Sequence, residues 1–255
     1  MKGWLNQWLL KRKEIACFIV HNRYTGGRLL QLGVEKERIK VIPMWVPRVH
    51  TVLPTQEARR RLGITCKYLI GAFGFIVRRR GYYMLLDALE PFPDDTMLVL
   101  AGGKHPLDHS NYYEALLEYI RSSKWADRIH VTGYIADERL PLWLSAFDFV
   151  VAPYVELSDS ASLLRCIAYG KPIVTSDLPP LRELHQRAKC LHLFRTGDTD
   201  DLRRAIYDLL HDEQLRHQLT LHARQYASSH RVERPARQTL MVYERVLGID
   251  VARKA

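Results

Sequence analysis

Two short stretches of the sequence combine residue types that suit phosphate oxygens. In the first, residues 74–81 (GFIVRRRG), a glycine follows an apolar run, three arginines come next, and a second glycine opens a predicted helix. Arginine side chains and the amides at a helix start both donate hydrogen bonds to phosphate. A solvated basic loop is the alternative interpretation, because a charge run is by itself a weak motif.

The second stretch, residues 158–165 (SDSASLLR), places small residues at the start of a helix predicted over 160–169. We expect Ser158 or Asp159 to cap this helix. The small residues of its expected first turn are Ser160, Ala161 and Ser162. Small side chains let an anion approach the amides, and the helix dipole favours negative charge there. An ordinary cap is the alternative, and only both stretches together, at strand ends of one sheet, predict a diphosphate site.

A third stretch has backbone groups that suit the edge of a planar base. Gly133 ends a predicted strand, and the amide and carbonyl groups of Tyr134 and Ile135 follow it. A few well-placed backbone groups are typical of small-molecule sites. Packing of the loop is the alternative interpretation of these two residues.

Metal and other cofactor motifs are not indicated. His105 and His109 have the spacing of a helical metal pair, but Pro106 between them predicts a loop. The four cysteines are scattered and form no C-x-x-C pair. The sequence contains no P-loop, G-x-G-x-x-G or G-x-S-x-G motif, which argues against an NTPase, a dinucleotide oxidoreductase and a hydrolase.

The elements that must position these stretches alternate between short apolar runs and helical patterns. Continuous apolar runs such as KYLIGAFGF and FDFVVAPY are typical of strands buried on both faces. The pattern predicts an α/β fold with a doubly wound, Rossmann-like parallel sheet, which binds ligands outside the carboxyl ends of its strands. The loops at those ends are 74–81, 102–110, 133–137 and 153–162.

The charge of the chain favours an anionic partner. Thirty-eight Lys and Arg against 28 Asp and Glu give a formal charge of +10. A nucleotide or phosphate ligand, an acidic membrane surface and a nucleic acid all fit that excess. We expect no nucleic-acid partner, because the basic residues are dispersed and lack interleaved aromatic side chains.

The sequence is typical of a cytoplasmic protein. No apolar run reaches the about 18 residues of a transmembrane helix, and the start lacks the apolar core and cleavage site of a signal peptide. Trp4 and Trp8, with Leu5 and Leu9, share one face of a predicted N-terminal helix. Packing against a further domain explains this face, and peripheral contact with an anionic membrane is the alternative.

Five segments in register resemble the C-terminal, donor-binding half of retaining GT-B glycosyltransferases of the group one family. They are RIKVIPMWVP, GFIVRRRGYYMLLDAL, LVLAGG, IHVTGY followed by LPLWLSAFDF, and LSDSASLLRCIAYGKPIV. The resemblance extends from about residue 15 to residue 247 and implies a nucleoside diphosphate sugar as donor substrate, with no metal or other cofactor.

The resemblance also implies roles for individual residues. Arg80 takes the place of the family's phosphate-binding lysine, and Gly81 that of its glycine. The residues implied to contact the donor diphosphate are Gly74, Arg79, Arg80, Gly81, Ser160, Ala161 and Ser162. The amides of the last three serve in the family, so their side chains can differ. The residues implied for the nucleobase and ribose are Tyr134, Ile135 and Arg165.

Three positions depart from the family's pattern. Phe75 stands where the family has an arginine, so one phosphate donor is lost and Arg78 or Arg79 is its substitute. Leu157 and Arg165 stand where the family has two glutamates, the second of which binds the ribose hydroxyls. A guanidinium accepts no hydrogen bond, so Arg165 pairs either with an acidic side chain or with an anionic group of the donor. The exchange indicates a changed specificity or a lost activity.

The resemblance implies a domain organisation with an incomplete N-terminal Rossmann domain. The expected segments are its tail at 1–46, a connector at 47–65, the donor-binding domain at 66–228, and a crossover helix with its tail at 229–255. A longer chain or an N-terminal partner chain would supply the missing half.

The implied function is transfer of a sugar from a nucleoside diphosphate sugar to a glycan or lipid-linked acceptor, with retention. No catalytic residue is assigned. The alternative is a non-catalytic, degenerate nucleotide-sugar-binding module that supports a partner chain.

Overall fold

The apolar runs of the sequence form the strands of parallel sheets. The structure is a computed structural model that describes residues 10, 12, 14–89 and 94–249. The strands in these ranges are β1 (Phe18–Val20), β2 (Ile39–Val41), β3 (Tyr68–Phe73), β4 (Thr96–Ala101), β5 (Ile129–Val131), β6 (Phe149–Ala152), β7 (Ile173–Ser176) and β8 (Leu191–Phe194).

Helices follow the strands in alternation. They are α1 (Arg23–Gln31), α2 (Thr55–Leu62), α3 (Tyr82–Ala88), α4 (Tyr112–Ser122), α5 (Leu140–Ala146), α6 (Ala161–Ala168), α7 (Pro179–Ala188), α8 (Thr199–His211), α9 (Glu213–Ser229) and α10 (Glu233–Leu247). Within the described ranges, none of these helices combines the length and the apolar composition needed to span a bilayer.

Six strands form one parallel sheet in the order β5-β4-β3-β6-β7-β8. The chain starts near the middle at β3, moves outward to β5, returns to β6 beside β3 and moves outward again to β8. The direction therefore reverses between β3 and β6, where Ile70 pairs with Phe149. Open α/β sheets bind ligands at such a switch point, outside the carboxyl ends of the strands. The predicted doubly wound, Rossmann-like sheet is confirmed.

Apolar side chains from the strands and helices bury one face of this sheet. The cluster contains Ile70, Phe149 and Val151 from the strands and Leu85, Leu116 and Ile206 from helices α3, α4 and α8. Each fully buried side chain of this size stabilises the fold by about 1.5–3 kcal/mol. Leu69, which is next to Ile70 in β3 and so lies on the opposite face, is buried as well. Burial on both faces explains why the strand sequences are continuously apolar.

Helix α7 is not indicated by the sequence. It begins with Pro179 and Pro180, a pair that favours a loop. Proline is nevertheless tolerated in the first helical turn, because amides there have no intrahelical acceptor. The helix connects β7 to β8 and completes the alternation of strands and helices.

The described residues divide into two compact units. The larger one, Pro47–Ser229, contains the six-stranded sheet. Residues 47–65, predicted as a connector, lie within this unit because α2 and the segment before it bind to α5. The amide of Leu53 donates to Ser145 Oγ at 3.0 Å, and Arg59 Nε donates to the carbonyl oxygen of Ala146 at 3.0 Å.

The second unit contains the described residues of Met1–Val46 and His230–Ala255. Its strands β1 and β2 are parallel and are connected by α1, with Phe18 opposite Ile39. A strand–helix–strand arrangement of this kind is the repeating unit of Rossmann-like folds. The amide of Val46 donates to the carbonyl oxygen of His230 at 2.8 Å. The apolar face predicted around Trp4 and Trp8 lies outside the described residues.

Candidate functional site

The guanidinium of Arg80 is the centre of a polar cluster at the switch point. Its Nη1 donates to the carbonyl oxygen of Phe73 at 2.7 Å and to Tyr154 Oη at 3.3 Å, and its Nη2 donates to Ser162 Oγ at 2.6 Å. The guanidinium carbon also lies 5.3 Å from the centroid of the Tyr154 ring, a cation–π distance. One side chain thus joins the loops that follow β3 and β6.

Within residues 14–89 and 94–249, the contacts of Arg80 do not neutralise its charge. All three acceptors are uncharged oxygens, and the residue is half-buried. A guanidinium has five N–H donors, of which these contacts use three. A cation removed from water favours an anionic partner, and the remaining donors suit carboxylate or phosphate oxygens.

Gly74 makes room for this guanidinium. Its φ is +119°, and a Cβ at this position would lie 2.6 Å from Arg80 Nη2. The Gly74 amide donates to the carbonyl oxygen of Ala101 at 3.0 Å. The structure gives Gly74 the role of admitting Arg80, and its contact with the diphosphate stays a prediction.

Gly81 and Arg79 hold the backbone beside Arg80. The φ of Gly81 is +68°, and a Cβ there would lie 2.1 Å from the carbonyl oxygen of Pro153. The Gly81 amide donates to the carbonyl oxygen of Arg78 at 3.2 Å, and that of Val155 to the carbonyl oxygen of Arg79 at 3.0 Å. The side chain of Arg79 is exposed. The close approach to the loop after β6 explains why a glycine is needed at position 81, and its contact with the diphosphate stays a prediction.

Ser160 caps helix α6, so the expected cap at Ser158 or Asp159 is wrong. Ser160 has extended φ and ψ of −143° and 99°, and its Oγ accepts from the amide of Leu163 at 3.1 Å. The cap is the residue directly before the first helical one, and the helix begins at Ala161. The sequence misplaces the cap because several adjacent residues in this stretch have capping side chains.

A chain of hydroxyls connects the start of α6 to Arg80. Tyr154 Oη lies 2.7 Å from Ser160 Oγ, which lies 3.1 Å from Ser162 Oγ. Tyr154 is buried and is absent from the sequence prediction, although an aromatic residue two positions after the end of β6 was a usable signal. Because Ser162 touches Arg80, the guanidinium lies beside the first turn of α6, whose amides have no intrahelical acceptor.

Two groups packed behind this cluster are uncharged. Burial raises the pKa of Tyr82, whose hydroxyl donates to the carbonyl oxygen of Gly74 at 3.2 Å. Burial also raises the pKa of the Cys166 thiol in α6 to about 12. These two groups therefore add no negative charge beside Arg80 near neutral pH.

The residues predicted for the nucleobase lie on the loop after β5. Tyr134 has 75% of its surface exposed, and Ile135 is buried. A Cβ on Gly103 would lie 2.9 Å from the Tyr134 backbone nitrogen, so the loops after β4 and β5 are in contact. Among the described residues, no hydrogen bond or ring contact joins Tyr134 or Ile135 to Arg80.

Arg165 pairs with an acidic side chain, one of the two alternatives that the sequence leaves open. Its Nη1 lies 3.0 Å from Asp137 Oδ1, and the two side chains are 40% and 76% exposed. Asp137 begins the 3-10 turn Asp137–Arg139 that leads into α5. The pair therefore connects α6 to the loop after β5.

Phe75, which stands in place of the family's arginine, packs against a histidine. Its ring centroid lies 4.7 Å from that of His105 in an edge-on arrangement. His105 Nδ1 accepts from the amide of Leu107 at 3.1 Å. Over the part of the chain that the structure describes, no group of three or more His, Cys, Asp or Glu could hold a metal ion.

The six-stranded parallel sheet, with its polar cluster at the switch point, defines a Rossmann-like α/β protein. A family model described as "Glycosyl transferases group 1" matches residues 67–212, which is more than half of the 255 residues. The chain belongs to this family.

Two curated relatives align with part of the chain. The lipopolysaccharide core biosynthesis mannosyltransferase LpsB of Rhizobium meliloti is 30% identical over 132 residues, which cover 50% of this chain and 37% of the relative. The 2-deoxystreptamine N-acetyl-D-glucosaminyltransferase of Streptomyces fradiae is 24% identical over 224 residues, which cover 84% and 51%. The chain thus spans about half the length of these relatives, or less.

Two solved structures have a similar fold. Sucrose-phosphate synthase from Thermosynechococcus elongatus superposes with a TM-score of 0.83 at 22% identity, covering 96% of this chain and 61% of its own. HepE from Anabaena, in complex with UDP-glucose, superposes with a TM-score of 0.77 at 20% identity, covering 90% and 64%. At these identities the similarity shows the fold.

Proposed function

We propose that this chain is the donor-binding half of a glycosyltransferase. It transfers a sugar from a nucleoside diphosphate sugar to a glycan or lipid-linked acceptor, with retention. The observation that carries the proposal is the uncompensated charge of Arg80 beside the first turn of α6. Membership of the group 1 family supports sugar transfer. The UDP-glucose in the complex of HepE supports a nucleotide sugar as the donor.

In this proposal the chain stabilises the departing diphosphate. The bond between the anomeric carbon and the diphosphate oxygen breaks, and that oxygen keeps the electron pair. The acceptor hydroxyl oxygen forms the new bond to the anomeric carbon, and its proton passes to the released diphosphate. Arg80 and the amides of Ala161 and Ser162 donate hydrogen bonds to the resulting charge. Arg80 is already fixed by Phe73 and Tyr154, at 2.7 and 3.3 Å, so little reorganisation accompanies bond breaking. The proposal uses no metal or cofactor.

We propose that the acceptor side of the site comes from a further Rossmann-like unit, the N-terminal half that the resemblance implies. The segments that the aligned relatives share with this chain cover only 37% and 51% of their lengths. The additional unit belongs either to the same protein or to a partner chain, and it supplies the wall of the site that holds the acceptor.

A second candidate function is a nucleotide-sugar-binding module without catalysis. One observation favours it: the guanidinium of Arg165 is engaged by Asp137 at 3.0 Å, in a position where the resemblance implies a carboxylate that binds ribose. Leu157, in place of the other glutamate, supports the same candidate.

The test measures binding and transfer with matched arginine variants. UDP and GDP are titrated calorimetrically into the wild type, Arg80→Ala and Arg121→Ala. Arg121 is an exposed arginine of α4 that pairs with Glu118. We expect Arg80→Ala to lose about a hundredfold in affinity, since charge-assisted hydrogen bonds contribute about 1.5–3 kcal/mol each, and the control to bind like the wild type.

Transfer is then measured from a panel of nucleotide sugars, with and without a candidate N-terminal partner. Binding together with turnover supports the first candidate. Binding without turnover in any combination supports the second. If the wild type binds neither UDP nor GDP, both candidates are wrong.

A further inference from the structure

An exposed ion pair lies one helical turn from the Arg80 cluster. Arg165 follows Ser162 by three residues on α6, and residues with this spacing lie on the same side of a helix. Ser162 Oγ accepts from Arg80 Nη2 at 2.6 Å, and Arg165 Nη1 donates to Asp137 Oδ1 at 3.0 Å. The carboxylate of Asp137 is therefore held on the side of α6 that faces the proposed diphosphate site.

The backbone around Asp137 is also fixed. Asp137 begins a 3-10 turn in which the amide of Arg139 donates to the carbonyl oxygen of Ala136 at 3.0 Å. The turn continues directly into α5, whose Leu140 and Leu144 are buried. Because both side chains of the ion pair are well exposed, such a pair contributes little to stability.

The position suits the ribose of a nucleoside diphosphate. The ribose connects the diphosphate to the base, so under the proposed function we expect it between the first turn of α6 and the loop with Tyr134 and Ile135. Asp137 is two residues beyond Ile135 and is tied to α6 through Arg165. Ribose hydroxyls need acceptors, which a carboxylate provides and a guanidinium cannot. One carboxylate oxygen contacts Arg165, and the other is available to a diol.

We infer that Asp137 accepts hydrogen bonds from the ribose hydroxyls of the donor nucleotide and that Arg165 is its positioning residue. This inference rests on the proposed function. It gives the exchange at position 165 a physical consequence, because the carboxylate that binds ribose is supplied from the loop after β5 instead of from α6. The exposed Tyr134 then lies close to the base attached to that ribose.

The test compares nucleotides with and without the ribose hydroxyls. UDP and 2′,3′-dideoxyuridine diphosphate are titrated into the 255-residue chain and into the variants Asp137→Asn, Arg165→Met and Glu138→Gln. Glu138 is the neighbouring exposed carboxylate of the same turn and is the matched control. If the wild type prefers GDP, then GDP and 2′,3′-dideoxyguanosine diphosphate are used in place of the two uridine nucleotides.

We expect the wild type to bind UDP at least about tenfold more tightly than the dideoxy nucleotide, as one or more charge-assisted hydrogen bonds predict. Asp137→Asn removes most of that preference by weakening UDP binding alone. Arg165→Met reduces the preference by about threefold, the smaller loss expected when the carboxylate is present but less well oriented. Glu138→Gln preserves the preference. If the ion pair had only a structural role, its variants would not alter the ratio of the affinities for UDP and the dideoxy nucleotide.

Two outcomes overturn the inference without touching the proposed function. The wild type could bind both nucleotides equally, or Asp137→Asn could preserve the full preference for UDP. In either case loss of UDP binding in Arg80→Ala still supports the diphosphate site. If the wild type binds no nucleotide, the proposed function fails and the inference fails with it.

Discussion

Two arginines at opposite edges of the same sheet differ in how their charge is compensated. At the amino ends of β3 and β6, Arg59 donates to the Asp148 carboxylate at 2.5 Å and to the carbonyl oxygens of Ala146 and Lys67 at 3.0 and 3.1 Å. At the carboxyl ends, the acceptors of Arg80 are uncharged oxygens.

The difference separates a structural arginine from an arginine that is available to a ligand. The Arg59 side chain is 6% exposed, and its carboxylate partner also accepts from the amide of Leu69 at 2.7 Å. Its hydrogen bonds therefore connect α2 to the starts of two central strands. Arg80 is also held by three hydrogen bonds, but all three acceptors are uncharged and two of its N–H donors remain available. This is the arrangement expected of a preorganised anion site.

The largest expected effect is on stability at the amino edge. Arg59→Ala leaves Asp148 partly buried without its cation, and breaking such a pair costs about 3–5 kcal/mol of the free energy of unfolding. Arg61→Ala, on the same helix but exposed, changes it by less than about 1 kcal/mol. Urea denaturation measures both. Equal losses in the two variants would remove the distinction between the buried and the exposed arginine.

A glycine variant tests whether the position of Arg80 depends on the space beside it. Gly74→Ala places a Cβ 2.6 Å from Arg80 Nη2 at a φ of +119°, so the guanidinium must move and nucleotide affinity falls. The strained φ costs about 1–3 kcal/mol of stability. Gly197→Ala is the matched control, since φ is +83° and nothing lies within 4 Å.

The control loses stability but retains nucleotide affinity. Calorimetric titration with UDP and thermal unfolding separate the two effects. Unchanged UDP binding by Gly74→Ala would show that UDP affinity does not depend on the position of the Arg80 guanidinium.

The pH dependence of stability tests the amino edge further. Lys171 donates to the carbonyl oxygens of Ser145 and Phe147 at 2.8 and 2.7 Å. Burial lowers the pKa of Lys171 from 10.5 to about 8, although the Asp148 charge opposes this shift. Between these two pH values the native state has released a proton that the unfolded chain still binds, so stability rises with pH.

We expect the unfolding free energy of the wild type, relative to Lys171→Met, to rise between pH 8 and 10.5, by at most about 1.4 kcal/mol per pH unit. Chemical denaturation at several pH values measures the difference. Parallel profiles for the two proteins would show that the lysine is not strongly perturbed.

The smallest expected effect concerns the exposed ion pair. Asp137 and Arg165 have the same chemistry as Asp148 and Arg59 but are largely exposed. Asp137→Asn should therefore change the free energy of unfolding by less than about 1 kcal/mol. A loss comparable to that of Arg59→Ala, measured in the same urea titration, would make the pair structural and weaken its assignment to ribose.

The sequence by itself determined the parallel sheet and indicated the two stretches that we propose to bind phosphate. Continuous apolar runs indicate strands buried on both faces, and a few consecutive residues are enough to recognise such a run. The arginines after β3 and the small residues before α6 were recognisable for the same reason, since loop composition and helix-start signals extend over only a few residues. A long resemblance in register added the family, to which the chain belongs.

The tertiary structure alone decided which side chains meet. Tyr154 lies against the guanidinium of Arg80, 74 residues away in the sequence, and Asp137 reaches Arg165 across 28 residues. The contact of Tyr154 with Arg80 follows from the strand order, which brings β6 beside β3. Hydrophobic periodicity shows which face of an element is buried, but not which distant element covers it.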